Sequence, residues 1–235
     1  MAEFLCTNTG LRLANKVAIV TGGASSIGKE TAHLFAEQGA RMVVIADIQD
    51  ELGKQVAETI GTHRCTYIIH CNVVDEDQVK NLVQSTVDTY GQLDIMFSNA
   101  GIGSRSEQTV LELDISQVDH LFSVNVRGMA LCVKHAARAM VEGKVRGSIV
   151  CTASVGGSHG GLKMTDYTMS KHADADPKEV ELIFSKYSRL EGVVLNTKHV
   201  ADAVLFLVSN ESEFVTGLDL LVDGSYIAGK SELAF

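Results

Sequence analysis

KVAIVTGGASSIGKETAHLFAEQGARMVVIAD, residues 16 to 47, reads as a strand, a tight turn, a helix and a second strand. Val17 to Val20 form an apolar, largely β-branched run that ends at Thr21, and TGGASSIG (21 to 28) is a glycine-rich turn. From Ile27 to Gln38 the apolar residues recur at helical spacing, and MVVIAD (42 to 47) is again a short apolar strand. Two apolar strands joined by one helix make a βαβ unit, whose strands run parallel because the helix carries the chain back to its starting end.

The rhythm continues outward. A helical pattern over Glu51 to Ile60 precedes TYIIHC (66 to 71), and another over Asp75 to Tyr90 precedes LDIMFS (93 to 98), with GSIVCTA (147 to 153) the fifth strand-like run. Each strand is continuously apolar rather than alternating, as expected where helices cover both faces of a parallel sheet. Between the last two strands, Val118, Leu121, Phe122, Met129, Cys132, Val133, Ala136, Ala137 and Met140 place an apolar stripe on one long helix, Ser116 to Val141, for the core or a subunit interface. Later come an amphipathic stretch from Lys178 to Leu190, a helix from Lys198 to Leu207, and LDLLV (218 to 222), a strand before the turn DGSY. With no repeat, linker or low-complexity tract, residues 1 to 235 read as one α/β domain, a doubly wound, Rossmann-like parallel sheet.

Composition agrees with a globular domain: 46% hydrophobic and 21% charged residues exclude disorder, collagen and coiled coil. A net charge of −9, without a basic block, argues against nucleic acid as partner. Apolar runs such as Met42 to Ala46 and Ala203 to Val208 fall short of the roughly 18 residues of a membrane span, and MAEFLCTNTG lacks a basic end followed by an apolar stretch. A cytoplasmic protein without membrane partners is expected. Five cysteines without CxxC spacing predict reduced, mostly buried thiols, and eight histidines without HExxH predict no metal.

The glycine turn sits where backbone N–H groups and a helix N-terminus can meet a pyrophosphate. Asp47 ends the second strand about 20 residues further on, where a carboxylate accepts bonds from an adenosine ribose. That carboxylate repels a 2′-phosphate, and neither Ser25, Ser26 nor Ile48 is a cation that could bind one, so NAD is expected over NADP.

Thr21-Gly22-xxx-Ser26-Ile27-Gly28 departs from GxGxxG and resembles the TGxxxGIG loop of the short-chain dehydrogenase/reductase family. Ser98-Asn99-Ala100-Gly101 resembles that family's NNAG motif, Asn125 stands in an NVRG segment, Ser154 follows the fifth strand, and Tyr167 and Lys171 form YxxxK. The likeness runs from about Lys16 to Ala173 and resumes over Gly192 to Tyr226. It implies a catalytic set of Asn125, Ser154, Tyr167 and Lys171. It also implies a cofactor site of Thr21, Gly22, Ser26, Ile27, Gly28, Asp47, Ile48, Asn72, Val73, Asn99, Ala100 and Gly101, shared with Tyr167 and Lys171.

Tyr167 and Lys171 share a helix face at this spacing, and an ammonium beside a phenol favours the phenolate, which makes Tyr167 a candidate general base. In the reaction that the resemblance implies, Tyr167 takes the proton of a secondary alcohol as hydride passes to the nicotinamide. Ser154 would bond the substrate oxygen, Lys171 would also hold the nicotinamide ribose, and Asn125 would fix a water in the proton path.

MVVIADI, LDIMFSNAG and VKHAARAM make the sequence similar to the plant members of the family that act in specialised metabolism. That group implies a small hydrophobic substrate, a monoterpenol such as borneol or a phenolic, and Ile102, Val155, Gly156, Gly157 and Leu162 suit such a molecule. It also contains members that close a nepetalactol-type iridoid without net redox change, keeping NAD as a structural group. Family members commonly pair through the long helix and the YxxxK helix, which implies a homotetramer.

Ser26, Asn72 and Ser225 each replace a residue usual in the family: glycine, aspartate and glycine. After Lys171 the chain passes to ADADP within two residues, where the family continues the helix and adds a sixth strand. A unit is therefore expected to be missing after residue 173, which also accounts for Pro177 being the single proline. LDLLV would then lose its inner neighbour.

Overall fold

The structure, a computed structural model, describes residues 10–61, 66–154, 165–170, 190 and 193–224. Among them β1 (Val17–Thr21), β2 (Met42–Asp47), β3 (Thr66–His70), β4 (Ile95–Ser98) and β5 (Ser148–Cys151) form one sheet in the order β3-β2-β1-β4-β5. Every pairing is parallel. The chain winds outward from β1 in one direction to β2 and β3, then in the other to β4 and β5. The carboxyl ends of β1 and β4 therefore flank the point where the winding reverses, which is where such sheets open a crevice.

Alternation along the strands divides the interior in two. Val17 and Ile19 meet Val44, Leu82, Met96, Cys132 and Ala136 on the side of α3 (Glu76–Tyr90) and α5 (Met129–Glu142). Ala18 and Val20 meet Phe35, Val43, Ile45, Phe97 and Leu205 on the side of α1 (Ser26–Glu37) and α7 (Thr197–Val208). The other α-helices among the described residues are α2 (Asp50–Ile60), α4 (Ile115–Phe122) and α6 (Thr165–Ser170). Helix starts follow their caps: the Asp75 carboxylate accepts from the N–H groups of Asp77 and Gln78 at 3.0 and 3.2 Å, and Asp114 does the same for Ser116 and Gln117 at 2.9 and 3.4 Å.

Two expectations need correction. The stretch expected as one helix from Ser116 to Val141 is α4 and α5 joined by a π turn, Ser123–Gly128, whose extra residue re-aims the side chains of SVNVRG. Of its stripe, Leu121, Cys132, Ala136 and Met140 are core. Residues 218–222 form no strand, and Leu218, Leu220 and Leu221 are 51%, 40% and 50% exposed. A strand draws its stability from its neighbours, and β5, the expected near side of that neighbourhood, is the edge of the sheet among the described residues: it is half-buried where β1, β2 and β4 are buried throughout. Cys151, at the end of β5, is exposed, whereas Cys71 and Cys132 are buried, so two of the three described thiols are buried where mostly buried thiols were expected. Burial pushes their thiols up to about 12 and about 11, so both stay protonated at neutral pH. Cys6, Cys65 and the segment from Lys178 to Leu190, up to its last residue, lie outside the described residues.

Among the described residues no group of His, Cys, Asp and Glu could hold a metal ion, and no helix is long and apolar enough to cross a membrane.

Candidate active site

At the end of β1 the chain turns through Gly22, with φ +65°, and enters α1 at Ser26. A Cβ on Gly22 would stand 2.9 Å from the Ala100 Cα, and one on Gly28 would stand 2.1 Å from the Gly22 carbonyl oxygen. Both positions require glycine, because the turn folds onto its own helix and onto the end of β4. Ser25, the N-cap of α1, makes no side-chain cap bond, so the N–H groups of the first turn are left for a ligand. Ser26 holds φ +45°, a left-handed conformation that costs a non-glycine residue about 1 kcal/mol. It is exposed, and Ile27 beside it packs into the core under α1.

Thr21 Oγ1 accepts from the N–H groups of Asn99 and Ala100 at 3.0 and 3.1 Å. The Asn99 amide donates to the Thr21 carbonyl at 3.1 Å and accepts from Thr152 Oγ1 at 3.1 Å. These bonds tie the carboxyl ends of β1 and β4 to the residue after β5. Asp47 is buried, and its two oxygens accept from Ala24 N and Gln49 N, each at 3.0 Å. The carboxylate is thus fixed between the glycine turn and the end of β2, with Ile48 exposed beside it. Asn72 is exposed and closes a local turn, its Oδ1 accepting from Val74 N at 3.2 Å, while Val73 packs under Gly128 of the π turn.

Asn125 lies in that π turn, buried. Its Oδ1 accepts from Ile102 N at 2.9 Å, and its Nδ2 donates to the Ile102 carbonyl at 2.9 Å and to Ser170 Oγ at 3.1 Å. Ser170 Oγ in turn donates to the Tyr167 carbonyl at 3.3 Å. The Tyr167 ring is buried against Leu121 and Ile102. A bonded path therefore runs from Thr21 through Asn99 and Ala100, along the backbone of Gly101 and Ile102, to Asn125, Ser170 and the helix that carries Tyr167. Ser154 is half-buried just beyond the end of β5. Lys171, Val155, Gly156, Gly157, Leu162 and Ser225 lie outside the described residues.

A cavity of about 100 Å³ opens between the loop after β4 and α4, lined by Gly103, Arg105, Ser116, Gln117, His120 and Leu121. It shares Leu121 with the packing of Tyr167 and includes none of the nucleotide-turn residues. The roles of Thr152, Ser104, Gln108 and Asp166 were not anticipated from sequence. Each is a polar residue in a loop or short helix, and only its bonding partner, distant in the chain, marks it out.

The family model described as short chain dehydrogenase matches residues 16–176. The chain is 48% identical to the (+)-cis,trans-nepetalactol synthase of Nepeta racemosa over 254 residues, covering 92% of this chain and 94% of that one. It is likewise 48% identical to the (−)-isopiperitenol/(−)-carveol dehydrogenase of Mentha piperita, a protein named as mitochondrial, over 249 residues, 91% of this chain and 94% of that one. A solved structure of a short-chain type dehydrogenase/reductase from Mycobacterium marinum superposes with a TM-score of 0.82 at 28% identity, covering 92% of this chain and 96% of that one.

Proposed function

The chain belongs to the short chain dehydrogenase family, and on that premise we propose that it oxidises a secondary alcohol of a small hydrophobic plant metabolite to the ketone with NAD. A monoterpenol such as borneol, or a phenolic, is the substrate class. The observation that carries this reading is the bonded path from Thr21 to Ser170, which supports a buried tyrosine beside the end of the sheet where the glycine turn lies.

The residues fit a dinucleotide. Thr21, Gly22, Ser26, Ile27 and Gly28 would hold the pyrophosphate at the α1 N-terminus, and Asp47 with Ile48 the adenosine ribose. Asn72 and Val73 would border the adenine, and Asn99, Ala100 and Gly101 the nicotinamide half. The fixed Asp47 carboxylate disfavours a 2′-phosphate. When bound, NAD supplies the hydride acceptor. The Tyr167 phenolic oxygen takes the alcohol proton, the Ser154 hydroxyl donates to the substrate oxygen, and Lys171, four residues on from Tyr167 in the sequence, would favour the phenolate. Asn125 acts through its bonds to Ile102 and Ser170, and water held at this turn would complete the proton path.

A second reading is supported by the equal identity to a nepetalactol synthase: closure of a terpenoid ring without net redox change, with NAD retained as a bound structural group. Incubation with NAD and a panel of monoterpenols at about pH 8 to 9, where a phenolate is favoured, separates the two. NADH absorbance is expected to rise. No rise across the panel, with calorimetry showing NAD bound, would favour the cyclase, whose test is consumption of a reactive enol.

The match to the Nepeta racemosa relative runs over 254 positions, more than the 235 residues of this chain, so that relative has residues without a counterpart here. We place the missing positions after residue 173, within the single domain of residues 1–235. The family match ends at residue 176, β5 is the edge of the sheet among the described residues, and the leucines of 218–222 are 40% to 51% exposed. Intact mass of the protein from its natural source is expected to exceed 25.2 kDa, and a mass equal to it would show that the short chain is what the source makes.

A further inference from the structure

Asp166 is fully buried, one residue before Tyr167, in the first turn of the six-residue helix α6. A buried carboxylate is costly unless donors surround it. Its Oδ1 accepts from Tyr167 N at 2.8 Å and lies 3.0 Å from Ser104 Oγ, while its Oδ2 lies 2.8 Å from Ser104 Oγ and accepts from Gln108 Nε2 at 3.2 Å. Ser104 has one proton to give, and although the Ser106 carbonyl stands at 2.7 Å, a bond to the charged carboxylate is the stronger use of it. Among the described residues no lysine or arginine pairs with Asp166.

Gln108 is buried too, and its amide cannot flip, because its Oε1 accepts from Asp114 N at 2.7 Å. Its Nε2 must therefore face Asp166. The Gln108 carbonyl also accepts from Thr165 N and Thr165 Oγ1 at 3.3 and 3.0 Å. The loop after β4 thus grips the first turn of α6 through backbone and side chain together.

We propose that Asp166, held by Ser104 and Gln108, is a positioning residue that fixes Tyr167 for proton transfer. Within the described turn of α6, Thr165–Ser170, the tyrosine takes its position from the contacts on either side of it. Asn125 bonded to Ser170 secures the far end, and Asp166 secures the near one. For its effect on turnover the proposal rests on the reading of Tyr167 as general base.

Asp166→Asn in the full chain is the test. The asparagine keeps an acceptor for Tyr167 N but sets its NH₂ against the unflippable Gln108 donor. The expected result is a fall in kcat of about 10- to 100-fold, the scale of a small misplacement of a reacting group, with nucleotide affinity unchanged. Adding Gln108→Glu, which turns that donor into an acceptor, is expected to recover part of the loss. A readout independent of turnover is the ring NMR signal of Tyr167 among the five tyrosines, assigned with Tyr167→Phe. It is expected to shift or broaden in Asp166→Asn, and also in Ser104→Ala, the milder variant to use if the first does not fold. A Tyr167 signal unmoved in the folded variant, or a loss of kcat that Gln108→Glu leaves undiminished, would overturn the proposal. If the parent protein shows no turnover, the dehydrogenase reading fails while the ring signal still decides the positioning role.

Discussion

Tyr167→Phe is expected to lower turnover by about 10²- to 10⁴-fold, the usual contribution of a positioned proton-transfer group, and to leave nucleotide binding nearly intact. The substitution removes one oxygen. The ring keeps its packing against Leu121 and Ile102, and the backbone keeps its bonds from Ser170 Oγ and to the Asp166 carboxylate, so α6 stays where it is. The glycine turn, Asp47 and the Thr21 bonds contain no atom of Tyr167. Initial rates by NADH absorbance and NAD affinity by calorimetry check both halves. A variant that turns over like its parent would remove Tyr167 from the chemistry; one that lost NAD affinity as well would show that the two ends of the site are coupled through α6.

The strand and helix order was legible because each element of a doubly wound sheet carries its own periodic signal. MVVIAD forms β2 to the residue, and the other strands begin or end within two residues of their expected bounds. Two failures have physical causes. The π turn at Ser123–Gly128 was invisible because a stripe of apolar residues at spacings of three and four absorbs one inserted residue without breaking. LDLLV has the composition of a buried strand, but burial is conferred by neighbours, and among the described residues no strand lies beside 218–222.

The geometry of the glycine turn, proposed to hold the nucleotide, was legible for a related reason. A turn that must bring its backbone close to a ligand restricts which residues can stand there, and Gly22 and Gly28 meet the backbone at distances that no side chain tolerates. The tyrosine end rests on a resemblance, and its supports could not be read from spacing. Gln108, Ser104 and Asp166 meet across 58 and 62 residues of chain, and nothing local in any of the three segments announces the other two. Asn125 was singled out by its motif, yet its bonds to Ile102 and Ser170 depend on the π turn that periodicity concealed.

Gly28→Ala is expected to weaken NAD binding by at least about 100-fold, equivalent to about 2.7 kcal/mol, and to lower stability by about 1 to 3 kcal/mol, the usual range for overpacking. The new methyl would stand 2.1 Å from the Gly22 oxygen and 2.8 Å from the Asn99 Nδ2, and neither can step aside cheaply. Gly22 is held by the bond from its N–H to the Ala46 carbonyl at 2.8 Å, and the Asn99 amide donates to the Thr21 carbonyl at 3.1 Å. The turn must therefore open, and with it go the bonds from Asn99 and Ala100 to Thr21 that join the ends of β1 and β4. Gly61→Ala is the control: at φ +86° and ψ 143°, a backbone region that side chains avoid, it carries strain of about 1 to 3 kcal/mol, but nothing lies within 4 Å of its Cβ, so it is expected to cost stability and spare NAD binding. Denaturant unfolding and calorimetry on the two variants separate strain from site geometry. If Gly28→Ala bound NAD like its parent, the phosphates would have to lie elsewhere than on the turn at the head of α1.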